Sequence, residues 1–207
     1  MARTREGQSL SEAHRLAQVA LSKDTVAAFL AVWKLLDPER LQESFPEYYR
    51  VAKLIIDANR RKSAALAAAY LSAFRAAEGV TTEATPILAE DSDPGPTMTS
   101  LYVTGPVAIE RAQRENRPPE EISTAALVLS IGAATRIALN GGRETIVASV
   151  EADPEATGFR RVTSGSTCSF CRDLAALGPI RKAQGVTVRA HDHCGCTAEP
   201  FYGEIFD

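Results

Sequence analysis

The last forty residues hold all four cysteines and two of the three histidines of this 207-residue chain. They run Cys168-x-x-Cys171, then nineteen residues, then His191-Asp192-His193-Cys194-Gly195-Cys196. Two short groups of soft donors separated by a loop tie distant segments together with little core volume, around a tetrahedral metal ion or through a disulfide. Any fold for this chain is therefore expected to bring 168–171 and 191–196 to one place.

The spacing favours a metal. A C-x-x-C pair converges two sulfurs from one turn, and His191-x-x-Cys194 repeats that spacing. On an extended segment, residues two apart share a side, which pairs Cys194 with Cys196 or His191 with His193. The preferred ligand set is Cys168, Cys171 and Cys194 with either His191 or Cys196 as the fourth, and the expected cofactor is a structural zinc. Disulfides, packed free thiols and a catalytic cysteine remain open alternatives. A hydrolase would need a nucleophile such as Ser166 or Cys168, with Ser164 and Ser169 nearby and His191 or His193 as base. Thr163-Ser-Gly-Ser-Thr167 reads instead as a solvated turn.

Charge narrows the partners. With 23 basic and 26 acidic residues the formal net charge is −3, which argues against wrapping nucleic acid by charge alone. The amino terminus, Met1-Ala-Arg-Thr-Arg-Glu-Gly, leads into no apolar stretch, so the expectation is synthesis and retention in a cytosol, where clustered cysteines favour metal over disulfide. Thr124 to Thr135 is apolar but short of the ~20 residues that span a bilayer, and reads as a buried helix with no membrane role. A chain of this length hides roughly 70% of its unfolded surface, so a staple need only organise the cysteine region.

Most of the chain reads as helix. Ser9-Leu-Ser-Glu12 has the reciprocal S-x-x-E form of a helix start, followed by apolar positions at Leu16, Val19, Val26, Phe29, Leu30, Trp33 and Leu36, with a break expected at Lys23-Asp24. A second start is expected at Ser44-Phe-Pro46-Glu47, opening a long alanine-rich helix that stops at Gly79. His14 reads as a surface residue. Arg60-Arg61-Lys62 reads as a solvated face or as a contact for nucleic acid or an acidic partner. Residues 80–99 read as a linker, Leu101-Tyr-Val103 as a short strand, and Thr104-Gly-Pro106 as the start of a helix reaching Arg114. Pro118-Pro119-Glu120-Glu121 starts a buried helix that ends at Asn140-Gly141-Gly142, and Arg143 to Ala152 forms another. Gly141-Gly142-Arg143 could cradle an anion, but the glycines fit a helix stop better. Phe159 to Val162 and Val186 to Arg189 read as strands. The expected architecture is mainly α: a helical arm or hairpin over 1–79, a linker over 80–99, and a small α+β module over 100–207 with the Cys/His cluster.

These residues resemble the MuF-like minor capsid family of tailed bacteriophages, also called phage head morphogenesis proteins. The resemblance covers roughly Asn140 to Tyr202 through Arg143-Glu144-Thr145, Cys168-Ser-Phe-Cys171, His191-Asp-His-Cys194-Gly-Cys196 and Pro200. The helical half, with Trp33 and Tyr48-Tyr49-Arg50, is similar to the amino-terminal part of such proteins in phages of actinobacteria. Many members carry proline at the position of Asp192 and arginine at that of Gly195, so whatever those side chains do is absent here. The resemblance implies a minor protein of the virion, at the capsid interior or portal vertex, that meets the portal protein, the major capsid or scaffolding protein and packaged DNA during head assembly or DNA delivery. Related proteins are often labelled capsid maturation proteases, which makes proteolysis the alternative; a zinc-stapled nucleic-acid-binding module is a third.

Overall fold

The computed structural model describes residues 2–163, 169–182, 188 and 190–205. The fold is mainly α, with long amino-terminal helices and a small carboxyl-terminal strand and helix region that carries the cysteines.

Helix α1 (Arg5–Trp33) starts one turn before the expected box. Thr4 caps it, its hydroxyl accepting from the Gly7 amide at 2.9 Å, and the buried Glu78 carboxylate accepts from the backbone amides of Arg3 and Thr4 at 2.8 and 3.1 Å. Glu12 is thereby released to pair with Arg15 on the surface. No break occurs at Lys23-Asp24. Helix α2 (Leu41–Ala77) likewise begins before Ser44, whose hydroxyl accepts from the Asp37 amide at 3.0 Å and donates to the Arg40 carbonyl at 2.9 Å. At 37 residues α2 is about 55 Å long, and it stops at Gly79, whose φ of 74° places it in the left-handed region that glycine tolerates.

An extended strap over 80–93 follows, laid across α2 and a later helix. It ends earlier than the sequence suggests, because Asp93 caps Gly95 and Pro94 occupies the first position of α3 (Pro94–Tyr102). The strand expected at 101–103 is therefore helical. A π-helical turn (Val103–Val107) absorbs Pro106, which lacks an amide to donate, and leads into α4 (Ala108–Arg114).

Helix α5 (Pro119–Ala152) starts as expected but runs straight through Gly141-Gly142. These glycines are contact points rather than a stop. A Cβ on Gly141 would lie 2.3 Å from the Arg60 carbonyl oxygen, and one on Gly142 would lie 2.8 Å from the Ser63 hydroxyl, so their absence lets α5 press against α2. The Gly142 amide donates to the Ser63 hydroxyl at 2.9 Å, and that hydroxyl donates to Gln18 on α1 at 2.7 Å.

The polar crossing separates two apolar cores. One joins Phe29, Tyr48, Ile56, Leu101, Ile109 and Ile137, with Trp33 at its edge. The other joins Tyr70, Leu71, Phe74, Ile146, Val150, Phe159 and Ala198, and so spans helices and sheet. Helices α1 and α5 are long and apolar enough to cross a membrane by length and composition, and in the fold α5 is a core helix.

The sheet is antiparallel in the order β2-β1-β3: β1 (Gly158–Val162), β2 (Ile180–Arg181) and β3 (Thr197–Phe201), with Phe159 opposite Pro200 and Arg161 opposite Ala198. Helix α6 (Ser169–Ala176) lies between β1 and β2 in sequence. The strand expected at 186–189 lies outside the described residues, apart from the buried Val188. Glu199 of β3 is 1% exposed; its carboxylate accepts from Ser11 of α1 at 2.6 Å and from Arg160 at 2.5 Å. Ser11 also shares a hydrogen bond with the Tyr70 hydroxyl at 2.9 Å. His14 is not at the surface: it is buried and stacks on Tyr70 at 4.5 Å between ring centroids.

Candidate metal centre

Three elements meet at the cysteines. Helix α6 presents Cys171 from its first turn, the loop before β3 presents His191 and Cys194, and β1 underlies them with Arg161. The donor atoms of Cys171, His191 and Cys194 all lie within 4.8 Å of one another. Cys171 Sγ is 3.5 Å from His191 Nε2 and 3.3 Å from Cys194 Sγ. A tetrahedral zinc with bonds of about 2.3 Å to sulfur and 2.05 Å to nitrogen would set those edges at about 3.5 and 3.8 Å, so these two edges lie within about half an ångström of such an ion's.

The histidine is oriented for the task. Its Nδ1 lies 2.7 Å from the Asp192 carbonyl, which can only accept, so Nδ1 carries the proton and Nε2 keeps its lone pair facing the sulfurs. The ring also meets the edge of Phe170 at 5.9 Å.

Cys196 is close by but differently engaged. Its Sγ is 2.9 Å from Cys194 Sγ and receives the Arg161 guanidinium at 2.7 Å. The hydrogen bond between the two thiols holds Cys194 below the ordinary cysteine range and Cys196 above it. Cys171, Cys194 and Cys196 are all buried, and no disulfide joins any two of these three. Cys168, Ser164 and Ser166 lie outside the described residues; Ser169 is exposed at the start of α6.

The loop is fixed to the helical body. Asp192 accepts from Arg136 Nε at 2.7 Å, and Arg136 also donates to Ser100 of α3 at 3.1 Å. His193 adopts a φ of 61° and packs on Gly132 of α5, outside the donor group, where a Cβ would lie 2.6 Å from its Nε2. Arg143 of α5 is 3% exposed and donates to the Cys194 carbonyl at 2.7 Å, the Cys196 carbonyl at 3.0 Å and Asn140 Oδ1 at 2.8 Å. Burial pushes the Arg143 pKa down, charge on the neighbouring sulfurs of Cys196 and Cys194 opposes it, the nearby Arg161 lowers it further and Cys171 opposes it again.

Sequence reasoning weighed an anion cradle at Gly141-Gly142-Arg143, preferred a helix boundary there, used Arg143 otherwise only in the Arg143-Glu144-Thr145 element of the resemblance, and read Arg161 as a strand residue. The available signal was an arginine beside a glycine pair, between the apolar stretches Ile137-Ala-Leu139 and Ile146-Val-Ala148.

The basic triplet divides. Arg60 is buried and donates to the Glu90 carbonyl at 2.6 Å and the Ile137 carbonyl at 3.2 Å, and pairs with Glu144, so its guanidinium ties α2 to the strap and to α5. Arg61 is exposed and pairs with Asp91 at 2.6 Å, while Lys62 is exposed.

The fold is thus a helical scaffold carrying a Cys/His group that can hold a metal ion. The chain belongs to the VG15 protein family, whose model matches residues 6–205, and is a phage-encoded protein. No curated protein and no solved structure matches it.

Proposed function

We propose that this protein is a zinc-stapled minor capsid, or head morphogenesis, protein of a tailed phage, associated with the portal or capsid and acting in head assembly or DNA delivery. The observation that carries the reading is the convergence of Cys171, His191 and Cys194, drawn from the two motif groups on which the MuF-like resemblance rests. The phage family assignment supports it. Zinc suits the donor set because sulfur and imidazole are its preferred ligands, and a fourth protein ligand would close the site and make its role structural. Cys168, at the C-x-x-C spacing from Cys171, is the fourth ligand of this reading, with Cys196 as the other candidate. Portal, major capsid or scaffolding protein, and packaged DNA are the partners, and Arg61 and Lys62 are the exposed cations available to them.

The test uses the full chain co-expressed with the portal protein of its phage. Co-purification of the two, with about one zinc per chain by elemental analysis, is expected. Absence of the protein from both portal complexes and finished heads would sink the assembly reading, and cleavage of the major capsid protein lost on His191→Ala would replace it with the protease.

A further inference from the structure

We infer that Arg143 is the positioning residue of the metal centre: from α5 it clamps the Cys194-Gly195-Cys196 turn by its two carbonyls and sets its positive charge beside the sulfurs. The inference rests on the metal reading above. Its guanidinium reaches the Cys194 carbonyl at 2.7 Å, the Cys196 carbonyl at 3.0 Å and Asn140 Oδ1 at 2.8 Å, all uncharged acceptors. A guanidinium does not give up its proton in a protein, so a cation is buried here beside three cysteines. A buried cation is costly unless its donors are satisfied, and carbonyl and amide oxygens at 2.7 to 3.0 Å satisfy them here.

A zinc held by three thiolates and one imidazole would carry a net charge of −1, and two buried guanidiniums face it: Arg161, which meets the Cys196 sulfur at 2.7 Å, and Arg143, which holds the turn by its carbonyls. The fork geometry matters as much as the charge. Two N–H groups fixed in one plane hold two carbonyls two residues apart, which aims the intervening turn, and the point charge of lysine cannot do both. Because Arg143 leaves from α5, the turn takes its orientation from the rigid helix rather than from the loop. Outer partners of this kind typically change metal affinity 10–100-fold when removed.

The experiment titrates Co2+ into the reduced, metal-free full-length protein and follows the sulfur-to-cobalt charge-transfer and ligand-field bands, with competition by Zn2+. Arg143→Met is expected to weaken Co2+ binding about 10–100-fold while leaving band positions and intensities at saturation unchanged, since the ligands themselves remain. Arg143→Lys should recover part of the loss. Equal Kd values for wild type and Arg143→Met, with melting of the metal-free proteins equally lowered, would make Arg143 a packing residue and overturn the inference. No Co2+ spectrum in the wild type would remove the metal reading itself, a separate result. Should Arg143→Met not fold, Arg143→Lys and Asn140→Ala decide: both are expected to bind Co2+ more weakly than wild type, and wild-type affinity in both overturns the inference.

Discussion

Gly141 and Arg60 meet so closely that a Cβ on the glycine would lie 2.3 Å from the arginine's carbonyl oxygen. Gly141→Ala should therefore destabilise. Alanine gains about 1 kcal/mol of helix propensity over glycine, but forcing α5 away from α2 costs about 1–3 kcal/mol and also disturbs the Ser63–Gly142 hydrogen bond. A net loss of about 1–2 kcal/mol in urea unfolding is expected, whereas Gly95→Ala, whose nearest atom would be 3.6 Å away, should be neutral or mildly stabilising. Equal effects at the two sites would show that the helices have room to spare.

His14 gives the fold a pH dependence. Burial drives its pKa from 6.5 down to about 4, and both ring nitrogens lack a hydrogen-bond partner among the described residues. The unfolded chain takes up a proton near pH 6.5 while the folded one refuses it until about 4, so this contribution is complete above pH 6.5 and is lost as pH falls through that window. The shift corresponds to about 3 kcal/mol. His14→Phe keeps the stacking on Tyr70 and should flatten the stability profile between pH 6.5 and 4; an unchanged slope would mean that His14 titrates freely in the fold.

The buried pair of Arg75 and Asp153 should dominate the stability effects of the ion pairs. The two side chains are 9% and 4% exposed, and Asp153 also accepts from the Tyr202 hydroxyl at 3.0 Å. Arg75→Met strands a buried carboxylate and is expected to cost about 3–5 kcal/mol. Arg50→Met removes an open, solvent-screened surface pair with Glu47 and should leave stability nearly unchanged. Chemical denaturation of the two variants side by side checks the ranking.

Chelation should act locally. Trp33 is the sole tryptophan, donates to Ser123 at 3.2 Å and packs with Tyr48 in the core remote from the cysteines. Stripping metal, or Cys171→Ser, is expected to lower the melting temperature by several degrees while leaving the native tryptophan emission and most helicity in place. A red-shifted emission on chelation would show that the staple holds the helical body together.

Helix periodicity and the Cys/His spacing were legible because both are local. The positions of α2, of the start of α5 and of β1 follow from apolar repeats, prolines and caps, and the union of Cys171 with Cys194 follows from donor chemistry. What escaped depends on partners far away in the chain. Thr4 caps α1 because Glu78 fixes the residues around it, His14 is buried by Tyr70, and Gly141-Gly142 continue a helix because Arg60 and Ser63 need the space. Glycine reads as a stop in a lone helix and as a contact in a packed one, and nothing local separates the two. Arg143 escaped for the same reason, since its acceptors are carbonyls rather than acidic side chains that composition would reveal.

The hydrogen bond from Ser11 to Glu199 joins residues 188 positions apart, the first helix to the last strand. During synthesis α1 emerges early and must wait for nearly the whole chain before β3 can cover it. Until then the Ser11, His14 and Tyr70 side of the helix pair stands open to other chains. Truncation before β3 is therefore expected to uncover that face and raise aggregation, which a pelleting assay would read.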